Sequence, residues 1–183
     1  MTEEGPPADR VRMTLGDAEI AAARYADEVI EPVWWSATVW DGPAAYEASL
    51  APFTQEQRRL WAVAWYRAEV FNGGHHQFFG NPTGIVWRDA VEGLRAIGSP
   101  RMAEVLATAS RRLGGASPLQ LERLEALGAL DARGEGFDDL DDRMYDLADA
   151  EDLEGLMLRY AQSRPAAFHF DGYVDRPGPG SPG

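Results

Sequence analysis

The sequence predicts an all-α fold: a compact, single-domain bundle of about eight to ten short helices. Apolar residues recur at helical spacing along most of the chain, and no stretch alternates apolar and polar residues long enough to predict a strand. Apolar residues make up 45% of the 183, with six Trp and seven Phe, so a hydrophobic core is expected and global disorder is not. Several segments also carry the capping residues with which helices begin.

The N-terminal part begins with a predicted helix and a tryptophan-rich segment. Thr14 and Asp17 form an N-cap pair for a helix that runs to about Glu31. The Trp-rich stretch follows, from Pro32 to Trp40. We interpret the six tryptophans mainly as core residues, some of which could line a subunit interface.

The clearest helix lies in the middle of the chain. Thr54 and Gln57 form a capping box, and an apolar stripe continues to Phe71. The run Asn72-Gly73-Gly74 is predicted to end this helix, because glycine after the last apolar turn suits a left-handed C-cap. Residues 75–79 are then expected to form a short turn.

Three more helices are predicted downstream. One ends near Ile97. The pairs Ser99-Pro100 and Ser117-Pro118 each place an N-cap serine before a proline at the first helical position. The helices that they open are expected to run to about Leu113 and about Leu127, in both cases before glycine.

The two ends of the chain are predicted to be disordered tails. Residues 1–12 and 171–183 are rich in proline and glycine, which neither continue helices nor fill a core. Residues 13–170 are expected to form the all-helical domain.

An acidic segment dominates the charge of the protein. Residues 135–154 hold ten carboxylates against one basic residue, Arg143, and account for −9 of the net charge of −13. As one helix rising about 1.5 Å per residue, the segment would carry one net negative charge per about 3 Å. This density is close to that of DNA, which has one phosphate per about 3.4 Å along each strand. The ten are Glu135, Asp138, Asp139, Asp141, Asp142, Asp146, Asp149, Glu151, Asp152 and Glu154.

The apolar pattern divides this segment into two helices. Leu140, Met144 and Leu147 share one face, whereas the apolar residues from Leu153 onward would lie on nearly the opposite face of a continuous helix. We expect a break at residues 149–152, with Asp149 capping the second helix. The four carboxylates predicted to face away from the apolar stripe are Asp138, Asp142, Asp146 and Asp149. The predicted partner-binding set is Asp138, Asp139, Asp142, Asp146, Asp149, Glu151 and Asp152.

Composition restricts the class of partner. A net charge of −13 disfavours direct binding to nucleic acid or to anionic membranes, and it fits a basic protein partner or simple solubility. The chain has no cysteine, so disulfides, thiol nucleophiles and thiolate metal sites are excluded. No apolar run is long enough to span a bilayer, so we expect a soluble cytoplasmic protein.

Glu69, His75 and His76 are the only residues whose grouping suggests a catalytic metal. Histidine and carboxylate are zinc ligands, and the three would support a metal-dependent hydrolase. Adjacent histidines usually point apart, however, and no known ligand spacing is present. We therefore predict no catalytic residue, metal or other cofactor. Glu69 is expected to brace the turn that follows it.

Two short motifs stand out in the chain. One is an Asn-Gly-Gly run, then Gln-Phe-Phe, then Asn and Gly; the other, at residues 140–145, reads Leu-Asp-Asp-Arg-Met-Tyr. Together they resemble the signature of a bacterial family whose best-known members are acidic DNA-mimic proteins. The similarity covers roughly residues 25–168, and this chain departs from the family pattern at His75, His76 and Met144. The first motif, which we interpret as structural, consists of Asn72, Gly73, Gly74, Gln77, Phe78, Phe79, Asn81 and Gly84.

The resemblance implies a function that composition alone does not give. It implies an all-helical homodimer without catalytic activity, whose surface carboxylates imitate phosphates and occupy the DNA-binding face of a helix-turn-helix regulator. The leading hypothesis is thus a DNA-mimic-like protein that blocks the DNA site of a basic partner. The alternatives are an immunity or anti-toxin protein against a basic nuclease, the hydrolase of Glu69, His75 and His76, and a helical module whose acidity has no specific role.

Overall fold

The computed structural model describes residues 10–175, and it confirms the all-α fold class. This part of the chain is 70% helical, with ten α-helices and one two-stranded sheet in a compact single domain. The helices are α1 Asp17–Ala22, α2 Ala26–Val29, α3 Glu31–Trp34, α4 Gly42–Leu50, α5 Gln55–Gly80, α6 Trp87–Ala96, α7 Pro100–Arg112, α8 Gln120–Ala132, α9 Asp138–Ala150 and α10 Leu153–Gln162. The strands are β1 Arg10–Leu15 and β2 Phe170–Asp175, and 3-10 turns span Pro82–Val86 and Pro165–Phe168. No helix between residues 10 and 175 combines the length and the apolar character needed to cross a bilayer.

Helix α5 is the centre of the domain, and α3, α6, α8, α9 and both 3-10 turns pack against it. The predicted capping box at its start is confirmed: the Thr54 side chain accepts a hydrogen bond from the Gln57 amide, and Gln57 Oε1 accepts one from the Thr54 amide. Its large buried side chains, which include Trp61, Tyr66 and Phe78, form the middle of the core.

The predicted end of α5 at Asn72-Gly73-Gly74 is instead a kink. Gly73 and Gly74 leave helical geometry, with φ of +71° at Gly74, and residues 75–80 then continue as helix rather than as the expected turn. The left-handed glycine is present, but the residues after it resume a helix because His75, Phe78 and Phe79 are drawn into the core.

The sheet was not predicted. Residues 10–12 and 171–175, assigned to the tails, lie in two antiparallel strands with Val11 opposite Val174. Arg12 also donates to both carboxylate oxygens of Asp171. Each strand is too short to show alternation, and the pairing joins opposite ends of the sequence. The rest of the predicted tails, residues 1–9 and 176–183, falls outside the described part of the chain.

Two other predicted helices have different bounds. The helix expected from Thr14 to Glu31 is broken at Ala23, where the chain is extended and Gln162 donates to the Ala23 carbonyl. The helix expected after Ser117-Pro118 begins later, because the Ser117 hydroxyl accepts the Leu119 amide in a local turn. That helix also continues past its internal glycine to Ala132.

The last helices follow the prediction more closely. Helix α7 begins at Pro100 and ends at Arg112, as expected. The break between α9 and α10 is also confirmed, but Asp152 rather than Asp149 caps α10, accepting a hydrogen bond from the Gly155 amide at 2.9 Å.

Candidate partner-binding surface

Helix α9 presents a row of four exposed carboxylates. Leu140, Met144 and Leu147 are buried where α9 packs against α5 and α7. The opposite face exposes the acidic row, which we define as Asp138, Asp142, Asp146 and Asp149. The exposure predicted for these four is therefore observed.

No basic side chain of the described residues pairs with the acidic row. None of its members makes an ion pair or a side-chain hydrogen bond within residues 10–175. Arg143 is exposed at the flank of α9 and is likewise without an ion pair to the row. The row is therefore available to an external cation.

The spacing within the row is regular but wider than the sequence suggested. Successive members are four, four and three residues apart. At about 1.5 Å per residue the row is about 16 Å long, which gives one charge per about 5 Å. One DNA strand carries a phosphate per about 3.4 Å. The density estimated from the whole acidic segment is too high, because the other carboxylates are turned away or paired.

Three carboxylates of the predicted set are already engaged. Asp139 receives two hydrogen bonds from Arg112, at 2.6 and 2.9 Å, and the Arg112 guanidinium lowers the pKa of Asp139. Asp152 caps α10 and also pairs with Arg159, and the Gly155 amide together with Arg159 lowers its pKa. Glu151 is only 14% exposed and binds Arg101 and the Ser99 hydroxyl. Their arginine partners reduce the negative potential that these three present outward.

Asp141 anchors the acidic helix to the kink of α5. Its Oδ1 accepts hydrogen bonds from the His75 amide at 2.9 Å and from the His75 ring Nδ1 at 2.5 Å. Burial raises the pKa of Asp141, but the hydrogen bonds from His75 outweigh burial and leave the pKa below its ordinary value. The buried His75 ring completes a chain through Nε2, which lies 2.9 Å from the hydroxyl of Tyr66.

This contact explains the Asn-Gly-Gly run. The kink turns His75 toward α9, and a Cβ at Gly74 would lie 2.4 Å from Asp141 Oδ2. Only glycine accommodates both the positive φ and the approach of the carboxylate. The run therefore fixes the position of the helix that carries the acidic row.

Glu69 holds the second half of the motif together. Its carboxylate accepts hydrogen bonds from Gln77, Asn81 and Thr83, at 2.8, 2.9 and 3.0 Å. The expected bracing role of Glu69 is thus observed, across the kink rather than in a turn. Gly84 lies close to the chain as well, since a Cβ there would be 2.8 Å from the Phe78 carbonyl oxygen.

The residues of the hydrolase alternative do not meet. Glu69 bonds to side chains after the kink, His75 is buried against Asp141, and His76 is exposed at 3.3 Å from Asp131. Within residues 10–175, no group of three or more His, Cys, Asp or Glu side chains is placed to hold a metal ion. The alternative therefore lacks the converging ligands that it requires.

Two features of the site region were missed by sequence reasoning. Tyr145 is exposed between Asp142 and Asp149 on the same side of α9, with its ring 5.7 Å from that of Phe71. Arg123 is buried and donates to the carbonyl oxygens of Phe79 and Asn81, and burial lowers its pKa to about 10. The helical spacing of Tyr145 from Asp142 and Asp149 could have predicted its exposure. The carbonyl partners of Arg123 lie some 40 residues away in the sequence, and no local pattern predicts them.

Taken together, fold and surface define an acidic, predominantly helical protein with four unpaired carboxylates aligned on one helix. The chain belongs to the DMP19-like protein family, whose model matches residues 51–164, more than half of the chain. This is a family of DNA-mimic proteins, and the matched region runs from just before α5 to just after α10, including the acidic row. Comparisons with curated proteins and with solved structures find no match.

Proposed function

We propose that this protein is a DNA mimic that binds a basic DNA-binding protein of the helix-turn-helix type and blocks its DNA site. The observation that carries the proposal is the acidic row: four exposed carboxylates on one helix, with no basic partner within the described chain. Family membership supports it, because the family model includes α9. The proposed activity is binding, without catalysis.

The four carboxylates of the acidic row are the proposed primary contacts. A DNA-binding face carries arginine and lysine side chains that normally meet phosphates, and these would meet the row instead. Asp139, Glu151 and Asp152, already held by arginines, would lie at the edge of the contact and add less. Tyr145 would supply an aromatic surface beside the row, where a guanidinium can stack.

We also propose that the protein acts as a homodimer. One row is sparser than a phosphate strand and represents only one strand. A two-fold dimer would present two rows, as a duplex presents two strands, and would increase the length of the acidic surface.

A partner capture followed by a salt titration tests the proposal. The full chain is used to isolate its partner from the source cell extract, and the purified pair is titrated at rising salt. We expect a basic DNA-binding protein, with affinity that falls steeply as salt rises. A basic nuclease as the partner would favour the immunity alternative. A neutral partner whose affinity does not depend on salt would contradict the proposed role of the acidic row in binding.

The double variant Asp142→Asn/Asp146→Asn tests whether the acidic row contacts the partner. Removing two charges from the middle of the row should raise the dissociation constant for the partner by about tenfold or more. The matched control is Glu28→Gln/Glu92→Gln, which removes two exposed carboxylates from α2 and α6. If both double variants bind equally well, the assignment to α9 is wrong.

A further inference from the structure

Two aromatic side chains are exposed where α5 meets α9. Tyr145 on α9 is 43% exposed, and its hydroxyl donates to the Val70 carbonyl oxygen at 3.4 Å. Phe71, the next residue of α5, is 37% exposed, and its ring centroid lies 5.7 Å from that of Tyr145. We define this pair, Phe71 and Tyr145, as the aromatic patch. Exposed aromatic side chains that contact each other are typical of an interaction surface.

Unpaired carboxylates lie next to the aromatic patch. Tyr145 follows Asp142 by three residues and precedes Asp149 by four, so the three side chains are neighbours on the surface of α9. Both carboxylates belong to the acidic row and make no ion pair within residues 10–175. A cation that binds either carboxylate is therefore within reach of the Tyr145 ring.

Asn72 adds a free hydrogen-bonding group beside the patch. It follows Phe71 in the sequence, is exposed, and makes no side-chain hydrogen bond within the described part of the chain. The other two amide side chains of the first motif, Gln77 and Asn81, both bond to Glu69. The Asn72 side chain is thus available to an external donor.

The same combination of ring and carboxylate already holds an arginine elsewhere in the fold. The Arg58 guanidinium carbon lies 5.1 Å from the centre of the Tyr46 ring. The same guanidinium donates to Glu47 at 2.6 Å and to Asp89 at 2.7 Å. One ring and two carboxylates thus form a site that an arginine side chain fills.

A second arginine is held in this way near the start of α9. The Arg112 guanidinium carbon lies 5.9 Å from the centre of the Phe137 ring, and its N–H groups donate to Asp139. The aromatic patch has the ring and the carboxylates of these two sites. No arginine between residues 10 and 175 lies over the Tyr145 or Phe71 ring.

We propose that the aromatic patch binds an arginine side chain of the basic partner and makes the protein selective for arginine over lysine. A guanidinium is planar and weakly hydrated, so it lies on a ring while its N–H groups reach a carboxylate or the Asn72 oxygen. An ammonium is a strongly hydrated point charge that gains less from the ring. The inference rests on the proposed function, which supplies the basic partner, and it adds which basic residue that partner presents.

Fluorescein-labelled hexa-arginine and hexa-lysine peptides test the selectivity in anisotropy titrations with the full chain at one low salt concentration. The ratio of the two dissociation constants is the readout, because the net charge of −13 attracts both peptides. We expect the wild type to bind hexa-arginine about tenfold more tightly than hexa-lysine. Tyr145→Leu and Phe71→Leu, which keep an apolar side chain without a ring, should each reduce this ratio by about threefold or more. Tyr145→Phe keeps the ring and should retain the ratio.

The matched control is Tyr173→Leu, which removes an exposed ring from β2 and should leave the ratio at the wild-type value. Far-UV circular dichroism verifies that each variant keeps its helices. A wild-type ratio near one, or a ratio that both leucine variants of the patch leave unchanged, would overturn the patch as an arginine site, whichever partner is captured. A patch-dependent ratio together with a captured partner that does not bind DNA would overturn the proposed function and leave the arginine site standing.

Discussion

At the residue scale, single positions in the kink of α5 determine where the acidic helix lies. Gly74 provides a left-handed turn and the space into which the Asp141 carboxylate reaches. His75 then bonds to that carboxylate with its amide and its ring. The motif that resembles the family signature thus has a structural role, and its connection to function is the placement of α9.

Replacing Gly74 with alanine should destabilise the protein by about 2 kcal/mol or more, because it adds a steric clash to the cost of a positive φ. Gly134→Ala is the control, since Gly134 has φ of +68° but open space around its Cβ. It should cost only about 1 kcal/mol. Urea denaturation measures both, and equal losses would show that the approach of Asp141 is unimportant.

At the element scale, the helices that could be predicted are those fixed by local signals. Proline at the first helical position set the start of α7, and the change of apolar face set the break before α10. The row on α9 followed from the same pattern, since residues opposite a buried stripe face solvent. Local sequence was sufficient for these features.

Features that depend on distant residues could not be predicted. Whether Gly73-Gly74 ends or kinks a helix depends on the tertiary contacts of the residues that follow, such as the bond of His75 to Asp141, 66 residues away. Which carboxylates are neutralised depends on Arg101 and Arg112, which are 50 and 27 residues from their acidic partners. Neither pattern spacing nor charge counting contains this information.

The docking of α9 onto the kink should depend on pH. The pKa of Asp141 is lowered in the folded state, so its contribution to stability is present above the ordinary aspartate value, near about 4, and is lost as pH falls through the folded pKa. Asp141→Asn should therefore be less stable than the wild type at neutral pH, and the difference should shrink in acid. The check is denaturant unfolding of both proteins across this range; a constant difference would refute the contribution of the charge.

At the scale of the whole molecule, charge and aliphatic surface are separated. The acidic row lies on α9, and the exposed leucines Leu121 and Leu124 lie on α8. In the proposed assembly, two copies associate and their two acidic rows meet a basic partner. The net charge of −13 then has a specific use in the row as well as a general effect on association rates.

The most direct test of this account is displacement of DNA from the captured partner. A fluorescently labelled duplex bound to the partner is titrated with the wild type and with a variant in which Asp138, Asp142, Asp146 and Asp149 are all asparagine. We predict that the wild type releases the duplex and that the variant does so only at concentrations about 100-fold higher or more. Equal release by both proteins would contradict the claim that the row on α9 takes the place of phosphates.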